Sequence, residues 1–286
     1  MSASQGPTVR RRRLGIELRR LREAVDKTID EVGRHLERSA STISRIETGK
    51  TVPRLRDVRD MLDMYGVVDG DQRELLLAMV RDAQQKGWWT DYEDVLPAGF
   101  ETYVGLEAEA ASLRTYQTNL VHGLLQTEDY ARALLRAVRL MDRQDSVDRL
   151  VALRMRRQAA LGRDHPLELW AVLDEAVLCR PIGGSAVMRA QLERLIEAAG
   201  SPAVTIQILP FAKGAHVGLI GPFSIIEFPD VSDPDVVYAE SPAGNLYVEK
   251  PREVRRYTLV FDHLRAAALP PDESVAVLAA AMKAIR

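Results

Sequence analysis

The stretch from Thr28 to Gly49 constrains this chain more than any other. Thr28-Ile29-Asp30-Glu31 has the form of a capping box, in which the threonine side chain and the glutamate three residues on satisfy each other's backbone amides, so a helix starts there. Ile29, Val32, Gly33 and Leu36 give that helix one buried face. Ser39 is a good N-cap for a second helix, and Gly49, free to take a left-handed backbone, ends it. At about 100° per residue, Ile43 and Ile46 set the inward direction of the second helix. Ser41, Ser44, Arg45 and Thr48 then fall on the opposite face, with Ala40 at its edge and Thr42 beside it. Such a slim, polar face is poor material for a core. It suits a helix entering a DNA major groove about 12 Å wide, where Arg45 can bond a guanine and Ala40 can meet a thymine methyl. The other reading of the same face is an ordinary solvated hairpin.

Helical periodicity extends to both sides. Leu14, Leu18, Leu21 and Val25 recur on one face of a preceding helix. Pro53 suits the first turn of a following one, with Leu55, Val58 and Leu62 inward. A fifth helix, about Gln72 to Gln85, carries Leu75, Leu76, Met79 and Val80. Residues 10–86 therefore read as an all-α domain of about five helices. Gly87-Trp88-Trp89 through Gly99 is aromatic and aperiodic, and we read 87–103 as an ordered linker. Helical patterns return at 104–117, 127–141 and 146–161. Strand-like runs follow at Leu167–Leu173, Val204–Leu209, Phe223–Phe228 and Val236–Ala239, with a shorter one at Asn245–Val248. A helix at Ala186–Ala199 lies between the first two runs, and helices at 251–268 and 272–285 close the chain. Residues 104–286 are expected to form an α+β domain with a small, mainly antiparallel sheet.

Charge divides along the same line. The net charge of −2 combines 15 Lys+Arg against 10 Asp+Glu in residues 1–66 with 24 against 31 in residues 67–286. A basic head on an acidic body points to nucleic acid as the partner of the head. Arg10, Arg11, Arg12 and Arg13 read as an arm ahead of the first helix, able to track phosphates or enter a minor groove; a flexible solvated tail is the alternative. Lys50, Arg54 and Arg56 follow the second helix of the pair, where phosphates would pass.

The pattern Thr28-x-x-Glu31-Val32-x-x-x-Leu36, then Ser39-x-Ser41-x-Ile43-Ser44-Arg45-Ile46-Glu47-x-Gly49, resembles the Cro/cI-type (Xre) helix-turn-helix. That resemblance implies base contacts from Ala40, Ser41 and Arg45, and a structural pair between Arg22 and Glu47. From the two-fold symmetry of such readers, a homodimer on a palindromic operator in double-stranded DNA is expected, joined through the second domain. The sequence departs from the pattern at Ile29, where a glutamine is usual, at Gly33, usually alanine, and at Glu37-Arg38, usually glycine then an apolar residue. Further motifs, among them Gly87-Trp88-Trp89, Gly123-Leu124-Leu125-Gln126-Thr127, Leu209-Pro210-Phe211 with Gly214-Ala215-His216, and Val237-Tyr238-Ala239-Glu240, are similar to the C-terminal domain of a group of actinobacterial Xre regulators. Many of that group have proline where this chain has His122. The resemblance implies a link to development or secondary metabolism, and a small partner protein encoded nearby.

Other classes find little support. One cysteine, Cys179, rules out an internal disulfide framework, and no apolar run reaches the roughly 18 residues of a membrane span. Leu14 to Leu21 is broken by charges, so no signal peptide is expected, and a cytoplasmic, nucleoid-associated protein is. No HExxH, GxSxG, P-loop or GxGxxG pattern accompanies the acidic and histidine residues, so neither catalysis, a metal nor a cofactor is expected. For the C-terminal domain two readings stay open, a small-molecule effector in a pocket or a protein partner, with His122, Gly123, Gln126, Pro210, Phe211 and His216 as candidate contacts. An antitoxin-like or scaffold role, in which partner binding comes first, is the alternative to regulation.

Overall fold

A computed structural model describes residues 7–84, 87–97, 99–139, 143–230, 233–241 and 244–285. The chain divides after Thr90 into two compact units. Among the described residues no helix is long and apolar enough to cross a membrane.

The first unit holds five helices: α1 (Pro7–Ala24), α2 (Ile29–His35), α3 (Ala40–Glu47), α4 (Leu55–Met64) and α5 (Gly70–Ala83). Thr28 and Glu31 form the capping box at the start of α2, Ser39 caps α3, and Asp69 accepts from Asp71 and Gln72 at the start of α5. Leu14, Leu18, Val32, Ile43, Ile46, Val58 and Leu62 meet in one core. Two expected core positions lie outside it. Val25 is exposed because α1 ends just before it, and Leu75 is 63% exposed while Leu77 is buried in its place. Both sit on the margin of an apolar stripe, where a small error in phase moves a residue into solvent. Gln85, the expected end of the fifth helix, lies outside the described residues.

The first four helices stop in the same way. The amides of Lys27, Arg38, Lys50 and Val67 each donate to the carbonyl five residues back, on Arg22, Gly33, Arg45 and Leu62, at 3.1, 2.8, 2.8 and 3.0 Å. The residue before each donor, Asp26, Glu37, Gly49 and Gly66, has φ of 54°, 55°, 67° and 69°. These are Schellman closures, which satisfy carbonyls that a helix end would leave without partners. The Glu37-Arg38 turn thus has the left-handed geometry usually supplied by glycine. Gly33 makes room for it, since a Cβ there would stand 2.9 Å from the Arg38 carbonyl oxygen.

The second unit contains α6 (Phe100–Glu109), β1 (Ser112–Gln117), α7 (Glu128–Val138), α8 (Gln144–Arg157), β2 (Glu168–Asp174), α9 (Ala176–Cys179), α10 (Ser185–Ala199), β3 (Val204–Leu209), β4 (Phe223–Glu227), β5 (Val236–Ser241), β6 (Gly244–Val248), α11 (Pro251–Ala267) and α12 (Pro271–Ala284). The six strands form one sheet in the order β3-β2-β1-β4-β5-β6. Its composition is more mixed than expected: β1, β2 and β3 run parallel, joined by helical crossovers, while β1–β4, β4–β5 and β5–β6 pair antiparallel. The parallel half has helices available to cover it, and β3 is buried along nearly its whole length although Thr205 and Gln207 alternate with its apolar residues.

One expected element is corrected here. The helix expected over 104–117 ends at Glu109, and Ser112–Gln117 is the strand β1 between β2 and β4. Pairing on both edges outweighs the local helical pattern. Helix α6 also begins at Phe100, inside the expected linker, and Trp88–Tyr92 forms a 3₁₀ turn with Trp89 buried. Ala98 of that linker, and the expected helical ends at 140 and 141, lie outside the described residues.

Candidate nucleic-acid interface

Helix α3 is held from behind by α1. Arg22 Nε and Nη2 donate to the two carboxylate oxygens of Glu47 at 2.6 and 3.0 Å, and Arg22 Nη1 donates to the Lys27 carbonyl at 2.6 Å. Both side chains are buried. Tyr65 lies within their field, its hydroxyl buried without a hydrogen-bond partner among the described residues and its pKa pushed well up by burial and by the Glu47 carboxylate. The backbones of α1 and α3 approach closely at glycines. A Cβ on Gly15 would stand 2.5 Å from the Glu47 carbonyl oxygen, and one on Gly49 would stand 2.9 Å from Arg12 Cα. Sequence periodicity places Gly15 next to Leu14 on the inner face, but says nothing of a neighbouring backbone, so this contact was not expected.

Ile43 and Ile46 are buried, while Ser41, Arg45 and Thr48 are exposed and Ala40, Thr42 and Ser44 are half-buried. Several of the polar groups already have local partners. Ser39 Oγ accepts from the Thr42 amide at 3.2 Å and lies 2.9 and 2.8 Å from the hydroxyls of Ser41 and Thr42. Thr48 donates its hydroxyl to the Ser44 carbonyl at 2.8 Å, leaving lone pairs to accept. The side chains of Arg45, Lys50 and Arg54 have no hydrogen bond or ion pair among the described residues. Arg56 is 3.7 Å from Asp60, a turn further along α4. Arg38, which the sequence leaves as a charge at the core rim, lies 3.3 Å from Asp57.

The arginine run is not an arm. Arg10, Arg11, Arg12 and Arg13 lie within α1, which begins at Pro7. Arg10 pairs with Asp82 at 3.2 Å, Arg11 Nε donates to the Ala83 carbonyl at 2.9 Å, and Arg12 is 5% exposed. Four consecutive arginines occupy all sides of a helix, so some must face its neighbours; here α5 supplies an acidic side chain and a helix C-terminus, both favourable for cations.

The expected contacts of the C-terminal unit separate into two places. His122, Gly123 and Gln126 line a cavity of about 150 Å³ together with Tyr103, Arg154 and Tyr238. Pro210, Phe211 and His216 do not join them. His216 Nδ1 accepts from the Gly218 amide at 3.2 Å and its ring meets Tyr116 edge-on, while Phe211 is 57% exposed and donates its amide to Glu175 at 2.7 Å.

A bihelical pair with a capped, outward-facing second helix defines a helix-turn-helix protein, and residues 13–76 match a helix-turn-helix domain. Residues 100–280 match a family described as a domain of unknown function, DUF5753, and the chain belongs to that family. None of the curated proteins and none of the solved structures matches it.

Proposed function

We propose that this protein is a sequence-specific transcriptional regulator of the Cro/cI (Xre) type, reading DNA through α3. The observation that carries the reading is the pairing of a rigid rear face, locked by Arg22–Glu47, with three basic side chains at the front, Arg45, Lys50 and Arg54, that have no partner within the described chain. Ala40, Ser41, Thr42, Ser44 and Thr48 surround them with side chains small enough for a groove. A homodimer would place two such helices on half-sites about 34 Å apart in a palindromic operator. A cytoplasmic, nucleoid-associated protein acting in actinobacterial development or secondary metabolism is the setting that the sequence resemblance suggests.

Selection of bound duplexes from a random pool, followed by titration of variants on the selected site, tests this. Arg45→Ala is expected to cost about 1–3 kcal/mol and relax preference at one base pair, while Lys50→Ala weakens all sequences evenly and lowers the salt slope by about 1. Arg10→Ala should leave the salt slope unchanged. A pool that returns no enriched motif overturns the reading.

A second reading, that a partner protein docks on the C-terminal unit, is favoured by one observation. Phe211, Val217, Leu219 and Ile220, clustered within ten residues in two 3₁₀ turns, are 57, 43, 71 and 75% exposed. Exposed apolar groups this close together mark contact surfaces. Leu219→Asp with Ile220→Asp should abolish capture of such a partner and leave DNA binding intact.

A further inference from the structure

The cavity in the C-terminal unit is lined by one cation that has no ion pair among the described residues. Its walls carry two arginines, both from α8. Arg157 is neutralised: Nε and Nη2 donate to the two oxygens of Glu107 at 2.7 Å each, with side chains only 5 and 2% exposed. Its guanidinium also lies over the rings of Phe100 and Tyr103, at 5.3 and 5.2 Å. His122 adds no charge. Its Nδ1 accepts from the Leu124 amide, so Nε2 carries the proton and donates to the Tyr103 hydroxyl at 3.2 Å. Burial first, and then the Glu107 carboxylate, push the Tyr103 hydroxyl's pKa well up, so it stays neutral.

Arg154 is different. Its one side-chain hydrogen bond runs from Nη1 to the neutral amide oxygen of Gln126 at 2.6 Å, and no carboxylate among the described residues lies within ion-pair distance. Gln126 is fixed in place by its own donation to the Val121 carbonyl at 2.6 Å, so it holds the guanidinium without neutralising it. Burial first, with Arg157 adding to it against the more distant pull of Glu240 and Glu107, lowers the Arg154 pKa to about 10. A guanidinium has five donors in a planar fork that matches a carboxylate, and a half-buried charge without an ion pair gains from a group that completes it. A guanidinium without an ion pair, lining a concave pocket, is the arrangement of a site built for an anion.

We propose that this cavity binds a small organic monocarboxylate, with its carboxylate on Arg154 and its body against Tyr103 and Tyr238. A volume of about 150 Å³ is the size that houses a single six-membered ring. Tyr103 and Tyr238, with centroids 4.3 Å apart, offer an aromatic wall. The exposed carboxylate of Glu240 lines the same cavity, which disfavours dianions such as phosphate esters. The proposal does not depend on DNA binding by the first unit.

Isothermal titration of the full chain with benzoate, against its uncharged isostere benzamide, tests the assignment. Benzoate is expected to bind at least about tenfold more tightly than benzamide, as charge-assisted bonds to a guanidinium imply. Arg154→Gln should remove that preference. In the unaltered chain, benzoate and not benzamide should slow modification of Arg154 by phenylglyoxal, read by peptide mass, and this arm holds even if the variant does not fold. Equal binding of the two probes, undiminished benzoate binding in Arg154→Gln, or no benzoate binding up to about 10 mM, where a millimolar ligand registers, overturns the proposal.

Discussion

Arg22 grips both carboxylate oxygens of Glu47 while its third nitrogen bonds the Lys27 carbonyl, so one guanidinium joins the end of α1, the turn after it and the end of α3. Removing one member of a buried pair leaves the other desolvated and alone, which is worth about 3–5 kcal/mol. Glu47→Ala is expected to lose stability in that range in urea titrations. Arg22→Met combined with Glu47→Leu should lose far less than the sum of the single changes, because it removes both charges. Additive losses would mean that the two side chains act separately.

Gly15 sets the distance between α1 and α3. Its missing Cβ leaves 2.5 and 2.6 Å to the carbonyl oxygens of Glu47 and Ile46, both backbone atoms that cannot swing aside. Gly15→Ala should therefore cost about 1–3 kcal/mol, the range of overpacking in a close-packed contact. Gly70→Ala, where nothing lies within 4 Å, is the control, and its effect should stay within about 0.5 kcal/mol. Thermal unfolding of the two variants compares them directly.

The turn between α2 and α3 makes an opposing pair of predictions. Glu37 is an exposed L-residue at φ 55°, so Glu37→Gly should stabilise the first unit by up to about 1 kcal/mol. Gly33→Ala should destabilise it, since a methyl there meets the Arg38 carbonyl at 2.9 Å. The residue more usual in helix-turn-helix sequences is thus expected to help at one position and harm at the other. Denaturation midpoints of the two single variants settle the signs.

Acid should loosen the second unit through His122. Burial first, with Arg157 and Arg154 adding to it against the pull of Glu107, lowers its pKa to about 4 from the ordinary 6.5. An unfolded chain takes up this proton near pH 6.5 and the folded one does not until about pH 4, so the folded state is fully favoured above 6.5 and loses ground as pH falls toward 4. The loss is on the order of 3 kcal/mol. His122→Gln should flatten the dependence of unfolding midpoint on pH across that window, read by circular dichroism; an unchanged slope would remove His122 as its source.

The first unit was legible where its signals are local. The capping box at Thr28, the cap at Ser39 and the closing glycine at Gly49 each depend on neighbours within a few residues, and the structure has them in place. Signals that depend on distant partners were not legible. Arg10 to Arg13 look like a tail until Asp82 and the Ala83 carbonyl of α5 stand beside Arg10 and Arg11. Strand β1 carries a helix-compatible sequence until β2 and β4 flank it. The cavity is a sharper case: His122 and Gln126 are near in sequence, but Arg154, from α8, and Tyr238, from β5, give the space its chemistry.

The four Schellman closures bear on how this unit can change. Each fixes a helix's last turn through bonds spanning only six residues, so the length of α3 is decided by Arg45 to Lys50 and its start by Ser39 to Thr42. The side chains proposed to meet bases contribute little to the closing lock, which Arg45 and Lys50 enter through backbone atoms alone, while at the start the Ser41 hydroxyl reaches the cap at Ser39. If α3 reads DNA as proposed, exchanging the side chains at Ala40, Ser44 and Arg45 should therefore rewrite which bases are read while the scaffold stays still, and so make the head a reprogrammable reader.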